Sequence, residues 1–236
     1  KTIFWLRGKD VTPAYDTFQE LTEEKQAALC ANNSYKYYLV DKNTLDAGCC
    51  WIQFRIKNQP DREILKSALE AAKLWEKYKA RLIINDHPHI ALESGAYGVH
   101  LGLCDMGIEK AREITGKEMI IGGTANTFEH IRQRVNEGAD YIGLGPYRFT
   151  TTKQNLSPVI GLEGYKLIMQ QMLDSNIRIP VIAIGGITLQ DISLIMQTKV
   201  HGVAISGALT NNPGQKKIVE AIYRLVRDTQ PDAIKN

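Results

Sequence analysis

From Tyr35 onward, short apolar runs rich in β-branched residues alternate with stretches of helical periodicity. The runs predict strands over residues 37–40, 50–55, 81–84, 97–101, 119–121, 141–144, 181–184 and 202–205. Their near-continuous apolarity suits strands buried on both faces of a parallel sheet. The intervening helices carry start signals. Asp61 opens a run with Ile64, Leu65, Ala68, Leu69, Ala72 and Trp75 on one stripe. Asn126 and Glu129 have capping-box spacing before Ile131 and Val135, and Thr188 and Asp191 repeat it before Leu194 and Ile195. Pro213 stands in the first turn of a last helix bearing Ile218, Ile222, Leu225 and Val226. These alternations, unbroken in composition, predict an α/β protein: a single (β/α)8, or TIM, barrel over residues 35–236. An open doubly wound sheet is the structural alternative.

Two regions fit this pattern less well. Residues 1–34 precede the first expected strand, and Phe18, Leu21, Ala28 and Leu29 predict an amphipathic helix there, an N-terminal extension packed across the bottom of the barrel. Only Asp41 to Cys49 separate the first two expected strands. A parallel crossover normally needs about a dozen residues.

Composition narrows the function. A chain of 236 residues suits one barrel with a sizeable core. A net charge of +3, with no basic stripe interleaved with aromatics, gives no ground for nucleic-acid binding. No apolar run approaches the ~20 residues of a membrane helix, and Ile3-Phe4-Trp5-Leu6 is too short for a signal-peptide core. Cys30, Cys49, Cys50 and Cys104 form no C-x-x-C pair and read as free thiols in a reducing cytoplasm. The expectation is a cytoplasmic protein acting on small molecules, with no nucleic-acid or membrane partner; assembly into a homo-oligomer is left open.

In such barrels the site lies at the carboxyl ends of the strands, so the residues after each apolar run carry the chemistry. After the second run come Gln53, Arg55 and Lys57, which alternation places on one face. An amide and two cations at one strand tip suit an anion; solvated charges at an exposed strand end are the plainer reading. After the third and fourth runs come Asn85-Asp86 and Asp105. Each aspartate alone also reads as a helix cap or turn residue. Together, on adjacent strand tips, the two carboxylates suit one hard cation such as Mg²⁺. Thr124 follows the fifth run, placed either to bond a phosphate oxygen or to cap its helix.

The sixth run ends in a glycine-rich turn leading to Thr150, Thr152 and Lys153, a pattern suited to phosphate. Glycine turns at Gly185-Gly186 and Ser206-Gly207 repeat it, so the ligand carries more than one phosphate. His87-Pro88-His89 lacks a third ligand at metal spacing. His100, within a strand, reads as a hydrogen-bonded core residue rather than a base. No nucleophile–base pair stands out, so the site reads as electrostatic rather than covalent.

These residues resemble the thiamine-phosphate synthase family. The resemblance rests on Gln53-Phe54-Arg55-Ile56-Lys57, Ile84-Asn85-Asp86, Gly98-Val99-His100-Leu101-Gly102 with Asp105, the block from Gly138 to Lys153, Ile184-Gly185-Gly186-Ile187 and Gly202-Val203-Ala204, and covers about residues 50–227. It implies a transferase of thiamine biosynthesis that joins hydroxymethylpyrimidine pyrophosphate to a thiazole phosphate and releases pyrophosphate, with Mg²⁺. By position, Gln53, Arg55, Lys57, Asn85 and Lys153 would hold the pyrimidine substrate, and Asp86 and Asp105 the metal. Thr124 takes the place of a family serine near the leaving group, and Arg55, Lys57, Thr124 and Lys153 would act on that group. Thr150, Thr152, Gly186, Ser206 and Gly207 would surround the thiazole phosphate. The chain departs from the family pattern at Leu103, Cys104, Arg148 and Phe149, and its last serine falls one position early, at Ser206. A related thiazole tautomerase and a non-catalytic thiazole-phosphate-binding barrel are the alternatives.

Overall fold

The computed structural model describes residues 2–6, 44–57, 59–149, 158–210 and 214–229. Eight strands close into a barrel in chain order: β1 Thr2–Leu6, β2 Trp51–Phe54, β3 Arg81–Asn85, β4 Gly98–Leu101, β5 Ile120–Ala125, β6 Tyr141–Leu144, β7 Val181–Ile184 and β8 Gly202–Ile205. Strands β2 to β8 run parallel, as their apolar runs predict.

The eighth place differs from expectation. It is filled by β1, which lies antiparallel to both β2 and β8; the strand expected over residues 37–40 lies outside the described residues. An antiparallel neighbour imposes no crossover helix before β2. The amphipathic helix expected around Phe18 to Leu29 and the turn at Pro213 also lie outside the described residues.

The helices are α1 Asp61–Lys77, α2 Pro88–Glu93, α3 Ile108–Thr115, α4 Phe128–Asn136, α5 Gly161–Asp174, α6 Ile192–Gln197, α7 Gly207–Thr210 and α8 Gln215–Thr229. Among the described residues, no helix is long and apolar enough to cross a membrane. The α1 stripe buries Ile64, Ala68 and Trp75, with Ala71 and Leu74 beside them, whereas Leu69 faces outward. The Thr188–Asp191 capping box forms. The box expected at Asn126–Glu129 does not: Thr127 is the cap, accepting from the His130 backbone N–H at 3.2 Å. Cys49, Cys50 and Cys104 are free thiols.

Alternation along the strands splits the interior in two. Ile52, Ile84, Val99, Ile121, Ile142 and Val203 belong to the apolar layer between strands and helices, each contributing roughly 1.5–3 kcal/mol by burial. Their neighbours point into the barrel. At the amino ends, Trp51 packs edge-on against Tyr97 and Tyr141, and the Arg81 guanidinium lies over Tyr97 at 4.7 Å. Gly122 faces the Tyr141 ring, where a Cβ would lie 1.9 Å from the ring carbon Cζ. This aromatic plug closes the bottom and leaves polar side chains to fill the top.

Candidate active site

At the carboxyl end, four neighbouring strands each send one polar side chain inward: Gln53 from β2, Asn85 from β3, His100 from β4 and Thr124 from β5. All four are buried, so each needs a partner. Gln53 Nε2 donates to Asn85 Oδ1 at 2.6 Å. His100 bridges two hydroxyls, with Nε2 3.0 Å from Thr124 Oγ1 and Nδ1 3.0 Å from the Tyr141 hydroxyl. The Tyr141 ring stacks on the imidazole, and burial pushes its phenol well above the usual tyrosine range.

The charged groups sit on the rim just beyond this layer. Asp86 follows β3 with φ +69°, a left-handed conformation that aspartate tolerates better than most residues. Its N–H donates to His100 O at 2.9 Å, which fixes the turn. Its carboxylate pairs with Lys57 Nζ and lies within hydrogen-bonding reach of Asp105. Burial raises the Asp86 pKa above the ordinary aspartate value, and Asp105 adds to the rise while Lys57 opposes it. The Asp86 side chain is 11% exposed against 43% for Lys57, so its carboxylate lies mostly out of water, while Asp105 is half-buried. Asp105 is held by its own loop, with Oδ2 accepting from the Gly102 N–H at 2.7 Å.

The helix caps remove one of the plainer readings, while the turn reading stands for both aspartates. The N-cap of α2 is His87 and that of α3 is Gly107, so neither Asp86 nor Asp105 caps a helix. Thr124 lies inside β5 rather than in a turn after it, because the strand runs on through Gly122 and Gly123 to Ala125. It bonds His100 rather than capping α4. Likewise β2 ends at Phe54, so Arg55 and Lys57 follow the strand instead of alternating within it; Arg55 is half-buried.

The opposite side of the mouth is built from backbone. After β7, Gly185 and Gly186 have φ +90° and +71°. The loop after β6 lies against them, with Tyr147 N donating to Ile184 O at 2.9 Å and Arg148 N to Gly185 O at 3.0 Å. A Cβ on Gly186 would lie 2.8 Å from the carbonyl oxygens of both Arg148 and Phe149, so only glycine fits there. Arg148 also reaches across with two bonds to Asp191, at 2.7 and 3.1 Å. Burial of Asp191 works against ionisation, but bonds from Thr188 and Arg148 outweigh it and hold the pKa below the ordinary value. Ser206 and Gly207 follow β8, Ser206 half-buried and Gly207 exposed. Thr150, Thr152 and Lys153 lie outside the described residues.

Three features escaped sequence reading. His100 is a buried core histidine as expected, but its partner is Thr124 itself. The Arg148–Asp191 pair joins two loops whose nearness no local pattern encodes. Arg134, on a helix with polar periodicity, reads as a surface charge but is 3% exposed. The glycine pair Gly122-Gly123 was the visible clue, since each leaves room for a large neighbour.

A closed barrel of strands ringed by helices, with polar groups and glycine turns gathered at the carboxyl ends of its strands, places the chain among the (β/α) barrels. The family described as thiamine monophosphate synthase matches residues 31–209, and the chain belongs to that family. A thiamine-phosphate synthase of Flavobacterium johnsoniae is 52% identical over 178 residues, covering 75% of this chain and 84% of the relative. One from Phocaeicola vulgatus is 48% identical over 191 residues, covering 81% and 92%. Among solved structures, a thiamine phosphate pyrophosphorylase from Pyrococcus furiosus superposes with a TM-score of 0.71 at 32% identity, covering 84% of this chain and 91% of that one.

Proposed function

We propose that the chain is a thiamine-phosphate synthase, a transferase that joins hydroxymethylpyrimidine pyrophosphate to hydroxyethylthiazole phosphate and releases pyrophosphate. The observation that carries this reading is the meeting of Asp86 and Asp105 beside Lys57 on the rim. Two aspartates from separate strand tips, with burial resisting ionisation of one, form a donor set suited to a hard divalent cation. The residues fit Mg²⁺ on that ground.

Bound there, Mg²⁺ would supply Lewis-acid stabilisation of charge on pyrophosphate oxygens. Arg55 and Lys57 add cationic charge for the same oxygens, joined by Lys153. Gln53 and Asn85 present a buried amide pair for a flat polar ring, and Thr124 offers a hydroxyl oriented by His100. The bond from the pyrimidine methylene carbon to the pyrophosphate oxygen breaks first, with its electron pair leaving on oxygen. The thiazole nitrogen lone pair then forms the new bond to that carbon. No enzyme nucleophile takes part, and holding both substrates in line supplies much of the acceleration. The glycine turns after β7 and β8, with Thr150 and Thr152, receive the thiazole phosphate.

The test is turnover with both substrates, followed as pyrophosphate release. The expected result is stoichiometric thiamine phosphate and pyrophosphate, abolished by EDTA and restored by Mg²⁺. Isomerisation of a thiazole phosphate alone, with no metal-dependent binding of the pyrimidine substrate, would identify the tautomerase instead. Binding of both substrates without product would mark a non-catalytic barrel.

A further inference from the structure

We propose that Arg134 of α4 and Glu137, the residue that caps its carboxyl end, form a clamp that sets the position of the Asp105 loop, and so act as positioning residues for divalent-cation binding. The inference rests on the reading of Asp86 and Asp105 as the cation site. An arginine as buried as Arg134 needs full partnering, and its donors diverge to three places. Nη2 donates to Gly102 O at 2.9 Å, Nε to Thr124 O at 3.4 Å and Nη1 to Glu137 Oε2 at 2.7 Å. The Glu137 carboxylate in turn lies within hydrogen-bonding reach of the Ile108 backbone N–H and accepts from Gln133 Nε2 at 2.6 Å. Gly102 and Ile108 bracket the loop that carries Asp105. One ion pair therefore grips the loop at both ends, while a third bond ties it to the strand tip of Thr124.

The loop's internal bonds complete the linkage. Gly102 O, the oxygen held by Arg134, also accepts from the Asp105 N–H at 3.3 Å. On the other side of the same residue, the Gly102 N–H holds Asp105 Oδ2. Displacing Gly102 thus moves the carboxylate directly. Gly123 makes room for the clamp: a Cβ there would lie 2.8 Å from Arg134 Cδ. The strand gives up a helix-facing side chain at this position, and a buried guanidinium takes its space.

A purely structural pair would affect melting and nothing specific; a clamp also affects the cation. The probe is Mg²⁺ with inorganic pyrophosphate, titrated calorimetrically into Arg134→Met, Arg134→Lys and Glu137→Gln proteins alongside thermal melting. Loss of a residue that orients a metal ligand typically weakens the metal by roughly 10–100-fold. Arg134→Met is expected to weaken Mg²⁺–pyrophosphate binding by about tenfold or more, Glu137→Gln and Arg134→Lys by less. Hydrogen exchange of the loop amides between 103 and 108 should quicken in step, with the KM for thiazole phosphate little changed. A folded Arg134→Met protein that binds Mg²⁺–pyrophosphate as wild type does overturns the clamp. Should that variant not fold, unchanged binding in Glu137→Gln overturns it equally. An Asp105→Ala control separates the premises: if it abolishes Mg²⁺-dependent binding while the Arg134 variants do not, the clamp alone is wrong. If Asp105→Ala leaves that binding intact, the cation reading itself is wrong.

Discussion

On the β2–β5 side of the barrel mouth the candidate functional atoms belong to side chains: Gln53, Lys57, Asn85, Asp86, Asp105 and Thr124, braced by His100 and Arg134. On the β6–β8 side, among the described residues, they belong mainly to backbone, in glycine turns zipped to a neighbouring loop through main-chain bonds. The difference matches the two anions the sites would hold. A leaving pyrophosphate gains charge during reaction, so full charges and a cation aimed at it stabilise the transition state more than the ground state. A phosphate that serves only as a handle keeps its charge throughout. Backbone N–H groups bind such an anion adequately and position it without adding titratable groups.

The sharpest way to break this contrast is Asp105→Ala. If the β2–β5 side handles the developing charge, kcat should fall on the order of 10²–10³-fold. Melting should drop only modestly, since the lost bond to the Gly102 N–H is worth about 1–2 kcal/mol. Steady-state kinetics at several Mg²⁺ concentrations check the first part and thermal denaturation the second. Full turnover at low Mg²⁺ would remove Asp105 from the metal site.

Gly186→Ala probes the other side. Its φ of +71° costs an alanine on the order of 1 kcal/mol, and two carbonyl oxygens occupy the Cβ space. The β7 turn must therefore move away from the β6 loop. The expected outcome is a KM for thiazole phosphate raised by roughly tenfold, equivalent to about 1.4 kcal/mol of lost binding, with the KM for the pyrimidine substrate little changed. An equal rise in both constants would mean that the two sides are not separable.

Much of this arrangement is legible in the chain because strands buried on both faces announce themselves as short apolar runs; β2 to β8 all do. The rule that barrel sites sit at carboxyl ends then brings Asp86 and Asp105 together from residues 19 apart in sequence. What stayed hidden depends on contacts that no local pattern encodes. Residues 3–6 form a visible apolar run, yet nothing local says that they pair antiparallel between β2 and β8. Gly122-Gly123 looks like a turn because glycine usually weakens a strand; here it is strand, shaped by Tyr141 on one face and Arg134 on the other. Arg134 itself is indistinguishable from a solvated helix charge until Gly102, Thr124 and Glu137 are placed around it.

The smallest effect expected concerns Asp191→Asn, which tests how firmly the backbone side is pinned. The folded protein holds the Asp191 pKa below its ordinary value of 3.8, because Thr188 and Arg148 outweigh the cost of burial. A lowered carboxylate pKa contributes stability that is complete above the unfolded-state value and is lost as pH falls through the folded one. The contribution is modest, about 1 kcal/mol at neutral pH, because the Arg148 side chain is half exposed and its ion pair is screened. Urea denaturation should therefore show a constant gap between wild type and Asp191→Asn from neutral pH down to about pH 4, closing below it. The pyrimidine-substrate KM should not move, and the thiazole-phosphate KM should rise less than in Gly186→Ala, since main-chain bonds still join the two loops. A gap that persists undiminished to pH 2 would show that the carboxylate charge is not what pins the β6 loop, and that shape alone holds this half of the mouth.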